Sequence, residues 1–404
     1  MKRTIKLAVV AALALGATSA FATNGSAMIG MGAKTRGMGG TGIGVGHGAE
    51  SALSNPALIT TIKSNHEISF GGTLFMPNVE TSYDGMMGAG SAESDADFFV
   101  IPSVSVANKV SDNFYWGVGM WGTGGLGVDY RDDASHMNMV TSLQNMQFGV
   151  PLVYTTNGFA MGITPIIQYT ALDINYVMPM GMLAGETIGS GVADDVSLGY
   201  NIGLSYQTQG VTLGAVYKSE IESNIKDVLS NAVTAMFETQ GSPFEYNNNK
   251  ISTPAEMGVG VSYKMKEHTI AFDYKMILWE DAETYKDFGW EDQNVFALGY
   301  EYATDGWAVR AGYEYAKGAV QDNTGKNLAL GATLTNTFNM LGFPGTQESH
   351  ITLGGTYAFN ETLSLDLAAV FGLENKETMD NTMFGTMETK HSEQSYSVQL
   401  NYAF

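Results

Sequence analysis

From His66 to the last residue, Phe404, apolar residues recur at every second position, with polar or small residues between them. Ile68, Phe70, Leu74 and Met76 fall on one face of the first run, and Glu67, Ser69 and Thr73 on the other. Leu198, Tyr200, Ile202, Leu204 and Tyr206 oppose Asn201, Gly203 and Ser205. Ile351, Leu353, Tyr357 and Phe359 repeat the pattern, as do Leu363, Leu365, Leu367 and Ala369 against Ser364, Asp366 and Ala368. A period of two belongs to a strand whose faces meet different surroundings. Fourteen such runs can be read. A soluble sandwich would not keep Tyr and Leu on an exposed face in strand after strand, whereas a wall between lipid and water requires it.

The connections alternate in length. Short ones are Val110-Ser111-Asp112-Asn113, Thr156-Asn157-Gly158, Gln207-Thr208-Gln209-Gly210, Met265-Lys266-Glu267-His268, Thr304-Asp305-Gly306 and Asn360-Glu361. Long ones fall near 78–97, 129–142, 176–196, 220–250, 280–292, 317–346 and 372–392. Six short and seven long connections put both ends of the strand array on the short-turn side, the habit of bacterial outer-membrane barrels. The last run, Tyr396, Val398, Leu400, Tyr402 and the terminal Phe404, resembles the signal read by the barrel-assembly machinery. Closing the first strand on the last removes the sheet edges that lipid cannot hydrogen-bond.

Composition fits this class. Charged residues are 15% of the chain and aromatics 11%, with 49 glycines, 9 prolines and no cysteine. An ordinary globular chain carries roughly 25% charged residues. The first residues read as a secretory signal: Lys2, Arg3 and Lys6, then an apolar stretch over 7–17, then Ala20-Phe21-Ala22 as an A-x-A cleavage site. Residues 1–22 are expected to be removed, leaving Thr23 first. Without Lys2, Arg3 and Lys6 the chain holds 17 basic and 41 acidic residues, a net charge of −24. Nucleic acid and anionic lipid are therefore excluded as partners. The acids crowd between strands, as in Glu93-Ser94-Asp95-Ala96-Asp97 and Asp129-Tyr130-Arg131-Asp132-Asp133.

Residues 23–65 differ from everything after them. Ten of the 24 residues over 25–48 are glycine, followed by a short helical-looking piece from His47 to Leu53 and a stop at Ser54-Asn55-Pro56-Ala57. Gly37-Met38-Gly39-Gly40-Thr41-Gly42 matches G-x-G-x-x-G, but no strand precedes it and no βαβ crossover follows, so it is not a dinucleotide site. These glycines suit a backbone turning tightly in a narrow lumen. The expected fold is all-β: a fourteen-stranded antiparallel transmembrane β-barrel over 66–404 with a small N-terminal plug, or hatch, over 23–65 inside its lumen. Asn55 before Pro56 suits a helix end, and its amide could tie plug to wall.

The glycine-rich start, Asn55-Pro56-Ala57 and the fourteen strands together resemble the FadL long-chain fatty-acid transporters of Gram-negative outer membranes, a family that includes TodX-type aromatic-hydrocarbon channels. Asn55-Pro56-Ala57 looks like the family's hatch motif. Trp116-Gly117-Val118-Gly119 with Gly124-Gly125-Leu126-Gly127-Val128-Asp129-Tyr130 looks like its third strand. Thr253-Pro254-Ala255-Glu256 and His350-Ile351-Thr352-Leu353-Gly354 look like later family strands. The resemblance implies a kinked third strand that opens a hole in the wall, apolar sites near the outer loops, and sideways exit into the membrane. Gly117, Gly119, Gly122, Gly124, Gly125 and Gly127 crowd into that third strand, where glycine marks a bulge, a kink or close backbone approach.

By alternation Lys218, Lys275 and Arg310 point into the lumen, with Asp273, Glu301, Glu314 and Asp366, while Arg36 lies in the plug. Such charges pair with one another or offer a cation to a carboxylate head group. Met86-Met87, Met137, Met139, Met178, Met180 and Met182 fall in predicted outer loops, where flexible thioethers suit variable apolar ligands. Residues 177–183 are the preferred capture stretch, with Met137 and Met139 opposite. The six histidines (His47, His66, His136, His268, His350 and His391) show no paired metal spacing, and no G-x-S-x-G elbow is present. No enzyme activity, metal or cofactor is expected. The expected function is passive diffusion of hydrophobic compounds, long-chain fatty acids first, through the outer membrane. Expected partners are such a molecule, outer-membrane lipid and the assembly machinery, with the chain acting as a monomer. An aromatic-hydrocarbon channel is the alternative; a general porin or a surface adhesin remains further off.

Overall fold

The computed structural model describes residues 24–85 and 88–404. The signal segment, and Met86 and Met87, lie outside the described residues. Fourteen strands run round the barrel: β1 (His66–Gly85), β2 (Gly88–Glu93 continued by Phe99–Lys109), β3 (Phe114–Asp129), β4 (Val140–Gly149 continued by Leu152–Thr156), β5 (Phe159–Val177), β6 (Ala193–Thr208), β7 (Val211–Lys218 continued by Ile221–Asn224), β8 (Lys250–Thr253 continued by Glu256–Met265), β9 (His268–Ile277), β10 (Gln293–Ala303), β11 (Trp307–Ala316), β12 (Ser349–Ala358), β13 (Leu363–Thr382) and β14 (Gly385–Ala403). Every neighbour pairs antiparallel, and β1 closes on β14 from Glu67↔Ala403 to Asp84↔Thr386.

The alternation becomes an inside-out wall. On β14, Tyr396, Val398, Leu400 and Tyr402 are exposed, whereas Ser395, Ser397, Gln399 and Asn401 between them are buried. Leu198, on the outer face of β6, is 76% exposed. Asn157-Gly158 and Gln209-Gly210, each with both residues at positive φ, make the two-residue hairpins β4–β5 and β6–β7.

The predicted long connections hold more structure than expected. Near 78–97 and 372–392 the strands simply continue: β1 and β13 are 20 residues long and β14 is 19. About 9–11 residues suffice to cross a bilayer, so these strands stand well beyond it. The connection over 220–250 carries a helix, Val228–Glu238, and that over 317–346 another, Ala332–Thr337. The outer-loop segments pack into one large apolar cluster that includes Trp279, Tyr285, Phe288, Trp290, Phe338 and Met340. The main water-free core therefore lies above and inside the wall.

Candidate functional site

Residues 24–65 lie against lumen-facing groups of the wall. The piece read as helical after His47 forms as a 3-10 turn, Gly48–Glu50, running into Ser51–Ser54, and an unforeseen short helix, Ala33–Gly37, precedes it. The Asp273 carboxylate on β9 accepts from the backbone N–H groups of Gly42 (2.7 Å), Ile43 (2.7 Å) and Gly44 (3.0 Å). Gly39 N–H donates to the Thr352 hydroxyl at 2.9 Å. Asn55 Nδ2 donates to the carbonyls of Ile43 (2.9 Å) and of Leu204 on β6 (3.1 Å), while its Oδ1 accepts from Ala57 N–H. One side-chain amide thus caps the start of the 3-10 helix Pro56–Thr61, staples the segment to itself and bonds the wall.

The wall accepts a backbone this close because it lacks side chains there. Three directly opposed glycine pairs face the segment: Gly162↔Gly203, Gly214↔Gly260 and Gly299↔Gly312. A Cβ at Gly214 would stand 1.7 Å from the Ile43 carbonyl oxygen, and one at Gly312 2.2 Å from Gly39 N. Sequence reasoning missed this belt and the Asp273 clamp. The signal for the belt was available: these glycines occupy lumen positions in the period-two pattern.

The wall has a break between β2 and β3. Their ladder runs from Lys109↔Tyr115 to Ser103↔Trp121 and ends there. Residues 122–128 of β3 have no ladder partner on β2 among the described residues, and the strands meet again only where Asp95 N–H donates to the Asp129 carbonyl at 2.9 Å. Pairing with β4 slips at the same point, leaving Thr123 as a bulge between Gly122 and Gly124. Buried N–H and C=O groups must bond something. Here the N-terminal segment takes the place of β2: Gly125 N–H donates to the Ser26 carbonyl (3.0 Å), Met28 N–H donates to the Thr123 carbonyl (3.3 Å), and Ala27 bridges Gly124. Met28, Phe75, Phe99 and Ile101 form a small apolar cluster at the break.

Among the six predicted glycines, Gly122, Gly124, Gly125 and Gly127 border the break. Gly117 and Gly119 do not; they sit in the regular ladder opposite Ala107 and Ser105, and Gly119 leaves room for the Trp121 ring.

Above the break lies an apolar pocket walled by Ile174, Leu229, Tyr285, Phe288, Trp290 and Phe338, with free space of about 30 Å³. Benzene occupies an engineered cavity of about 150 Å³, so a ligand needs this pocket to widen. Burial pushes the Tyr285 phenol up to about 12, against a smaller opposing effect of its bond to Ser26, so the wall is uncharged at neutral pH. Gly25 is wedged against the rings of Trp279 and Trp290. Leu126 and Val128 of β3 belong to the same buried cluster, so apolar surface is continuous from the loops to the break.

Met137, Met139 and Met178 are buried in that cluster. Met180 and Met182 are not; they point outward, Met182 with 77% exposure. The lumen cations differ from one another. Arg310 bonds Glu301 (2.7 Å) and lies 3.8 Å from Asp366, and Lys218 bonds Glu256 at 2.9 Å. Lys275 makes no ion pair within 4 Å among the described residues, and it lines a cavity with Met28, Ile43 and Val295 and with the carboxylates of Glu256, Asp273 and Glu314.

The profile of the family described as outer membrane protein transport protein (OMPP1/FadL/TodX) matches residues 7–404. A long-chain fatty acid transport protein of Escherichia coli O6:H1 is 23% identical, the alignment covering 90% of this chain and 92% of that one. A 47 kDa outer membrane protein of Pasteurella multocida is also 23% identical with the same coverage. Among solved structures, the toluene transporter TodX of Pseudomonas putida superimposes with a TM-score of 0.68 at 18% identity, over 95% of this chain and 100% of that one. A FadL homologue of Pseudomonas aeruginosa gives 0.71 at 15% identity, over 94% and 100%. The chain, a closed fourteen-stranded barrel matched almost end to end, belongs to the OMPP1/FadL/TodX family of outer-membrane transport proteins.

Proposed function

We propose that this channel takes up long-chain fatty acids by passive diffusion, from the apolar pocket in the outer loops to the break between β2 and β3, and releases them sideways into the membrane. The observation that carries the reading is the break itself: a β3 segment without its wall partner, lined by apolar side chains and covered from within by residues 26–28. An acyl chain gains about 0.8 kcal/mol for each CH₂ removed from water. Release into the periplasm would forfeit on the order of 10 kcal/mol for a long chain, and release into lipid avoids that cost. Residues 26–28 must move for the path to open, which breaks the two backbone hydrogen bonds that make up the Ala27–Gly124 bridge. Residues 37–57, held by Asp273, Asn55 and the glycine belt, act as the fixed hatch.

Lys275 supports a carboxylate as the head group: it is a wall cation with no ion pair within 4 Å among the described residues, and it lines a cavity of mixed apolar and charged lining. The aromatic pocket of Tyr285, Phe288, Trp290 and Phe338 favours a second reading, uptake of neutral aromatic hydrocarbons. Lys275→Gln separates the two. A charged hydrogen bond is worth about 1.5–3 kcal/mol, so oleate uptake should fall roughly tenfold or more while toluene uptake holds. Equal uptake of oleate by the variant and the wild type would remove Lys275 from the site and favour the hydrocarbon reading.

A further inference from the structure

Behind the break, on its lumen side, lies a second cavity of a different character. It has about 30 Å³ of free space, and its lining includes Thr123 and Gly124 of β3, Asn145 and Gln147 of β4, Asn201 of β6 and Lys218 of β7. Ser26 and Ala27 form another part of the lining. They belong to the stretch that must leave for the break to open, so gate and chamber share a wall. The Lys275 cavity has Met31, Leu53, Lys218 and Glu256 in common with this one. A polar route therefore runs from Lys275 to the break beside the apolar one.

The side chains of this chamber have donors to spare. Asn201 is 4% exposed, and its Nδ2 is buried without a hydrogen-bond partner among the described residues. Thr164, opposite it on β5, likewise has a buried hydroxyl without a partner. Asn145 Oδ1 accepts from Thr170 Oγ1 at 2.9 Å. No hydrogen bond among the described residues uses its Nδ2, which lies 3.7 Å from the point where a Cβ on Gly124 would stand. Lys218 pairs with Glu256 at 2.9 Å, and an ammonium carries three donors. Buried polar groups are rarely left unpaired, so donors on three strands aimed into one chamber call for an acceptor. We propose that this chamber binds the carboxyl head group of the departing ligand: as residues 26–28 move aside, its oxygens accept from Asn145, Asn201 and Lys218 while the acyl tail lies in the break. The proposal rests on fatty-acid uptake with sideways release. Amides and an ammonium already neutralised by Glu256 suit a last station, because they lack the full Coulomb attraction of an unpaired cation. The head group can then follow its tail into the membrane.

The test compares uptake of radiolabelled oleate and of 1-octadecene, a chain of the same length without the head group. The cells carry, as their only channel for hydrophobic compounds, the wild type, Asn201→Leu or Asn145→Leu. Leucine keeps the branched outline of asparagine and removes the donor. Oleate uptake should fall roughly fivefold or more in each variant, as the loss of a hydrogen bond to a charged group implies, while octadecene uptake stays at the wild-type level. Asn201→Leu gives up no side-chain hydrogen bond among the described residues, so its folded band on a gel should survive to at least the wild-type temperature. A residue kept for structure alone would lower that temperature and leave oleate uptake unchanged. Wild-type uptake of oleate by either folded variant would overturn the proposal and leave the chamber to water. Equal loss of oleate and octadecene would also overturn it, as damage to the channel. A wild type that admits octadecene but no oleate would remove the fatty-acid reading itself, and the proposal with it. Should Asn145→Leu fail to fold, because it also loses the bond from Thr170, Asn201→Leu decides alone.

Discussion

In cells whose only channel for hydrophobic compounds carries Gly122→Val and Gly124→Val, uptake should fall at least tenfold, to the level of cells lacking the channel. A Cβ at Gly122 would stand 2.6 Å from Ile101 Cγ2, and one at Gly124 2.5 Å from the Ser26 carbonyl oxygen. Two isopropyl groups therefore fill the gap from both of its sides and jam the residues that must move. Overpacking of this kind costs roughly 1–3 kcal/mol, which a closed ladder of fourteen strands can bear. Heat-dependent gel migration checks that the variant folds. Gly306→Val is the control: nothing lies within 4 Å of its added carbon, and its uptake should match the wild type. Wild-type uptake by the doubly substituted channel would mean that the break is not the exit.

Asp273→Ala should turn a sealed barrel into a conducting one. The substitution leaves the N–H groups of Gly42, Ile43 and Gly44 without their acceptor inside the lumen. Each buried donor left unsatisfied costs about 1–3 kcal/mol, so the segment loses several kcal/mol of attachment. The wall loses little, because β9 keeps its ladders to β8 and β10. In planar bilayers the wild type should show almost no ion current, and the variant should open to porin-like steps. Gly214→Val attacks the same stretch from β7, two strands away, through the Ile43 carbonyl, and should act in the same direction. Unchanged conductance in both would show that residues 37–57 do not seal the lumen.

How much could be read from the chain follows from where its physics is local. The strands were legible because lipid and water impose a period of two on every residue that crosses the membrane. Beyond the membrane the outer face sees water instead of lipid while Met379 and Met387 still face the apolar cluster, so the alternation fades around Glu374, Lys376 and Asp380, and the long hairpin of β13 and β14 reads as a loop. The glycines of β3 look equivalent in sequence. What separates Gly122 from Gly117 is the point at which β2 stops pairing with β3, a property of another strand. Pro102 was a usable sign, since sheets admit proline where a ladder is interrupted, and it lies one residue from the last rung at Ser103. The Asp273 clamp was out of reach: its three donors are 229 to 231 residues away in the chain. Lumen-facing charges were legible as a set, but pairing, which among the described residues gives Arg310 two ion-pair partners and Lys275 none within 4 Å, depends on strand register.

Sideways exit is tested most directly by photolabelling. A long-chain fatty acid with a diazirine at its methyl end is equilibrated with the protein in lipid nanodiscs, irradiated, and the labelled residues are mapped by mass spectrometry. Label is expected at the apolar pocket around Phe288 and Trp290 and at the break, on residues 99–101 of β2 and 120–126 of β3. Label running instead down the lumen to the short turns at 207–210 and 265–268, with none on β2 or β3, would contradict lateral release and assign the channel a straight path into the periplasm.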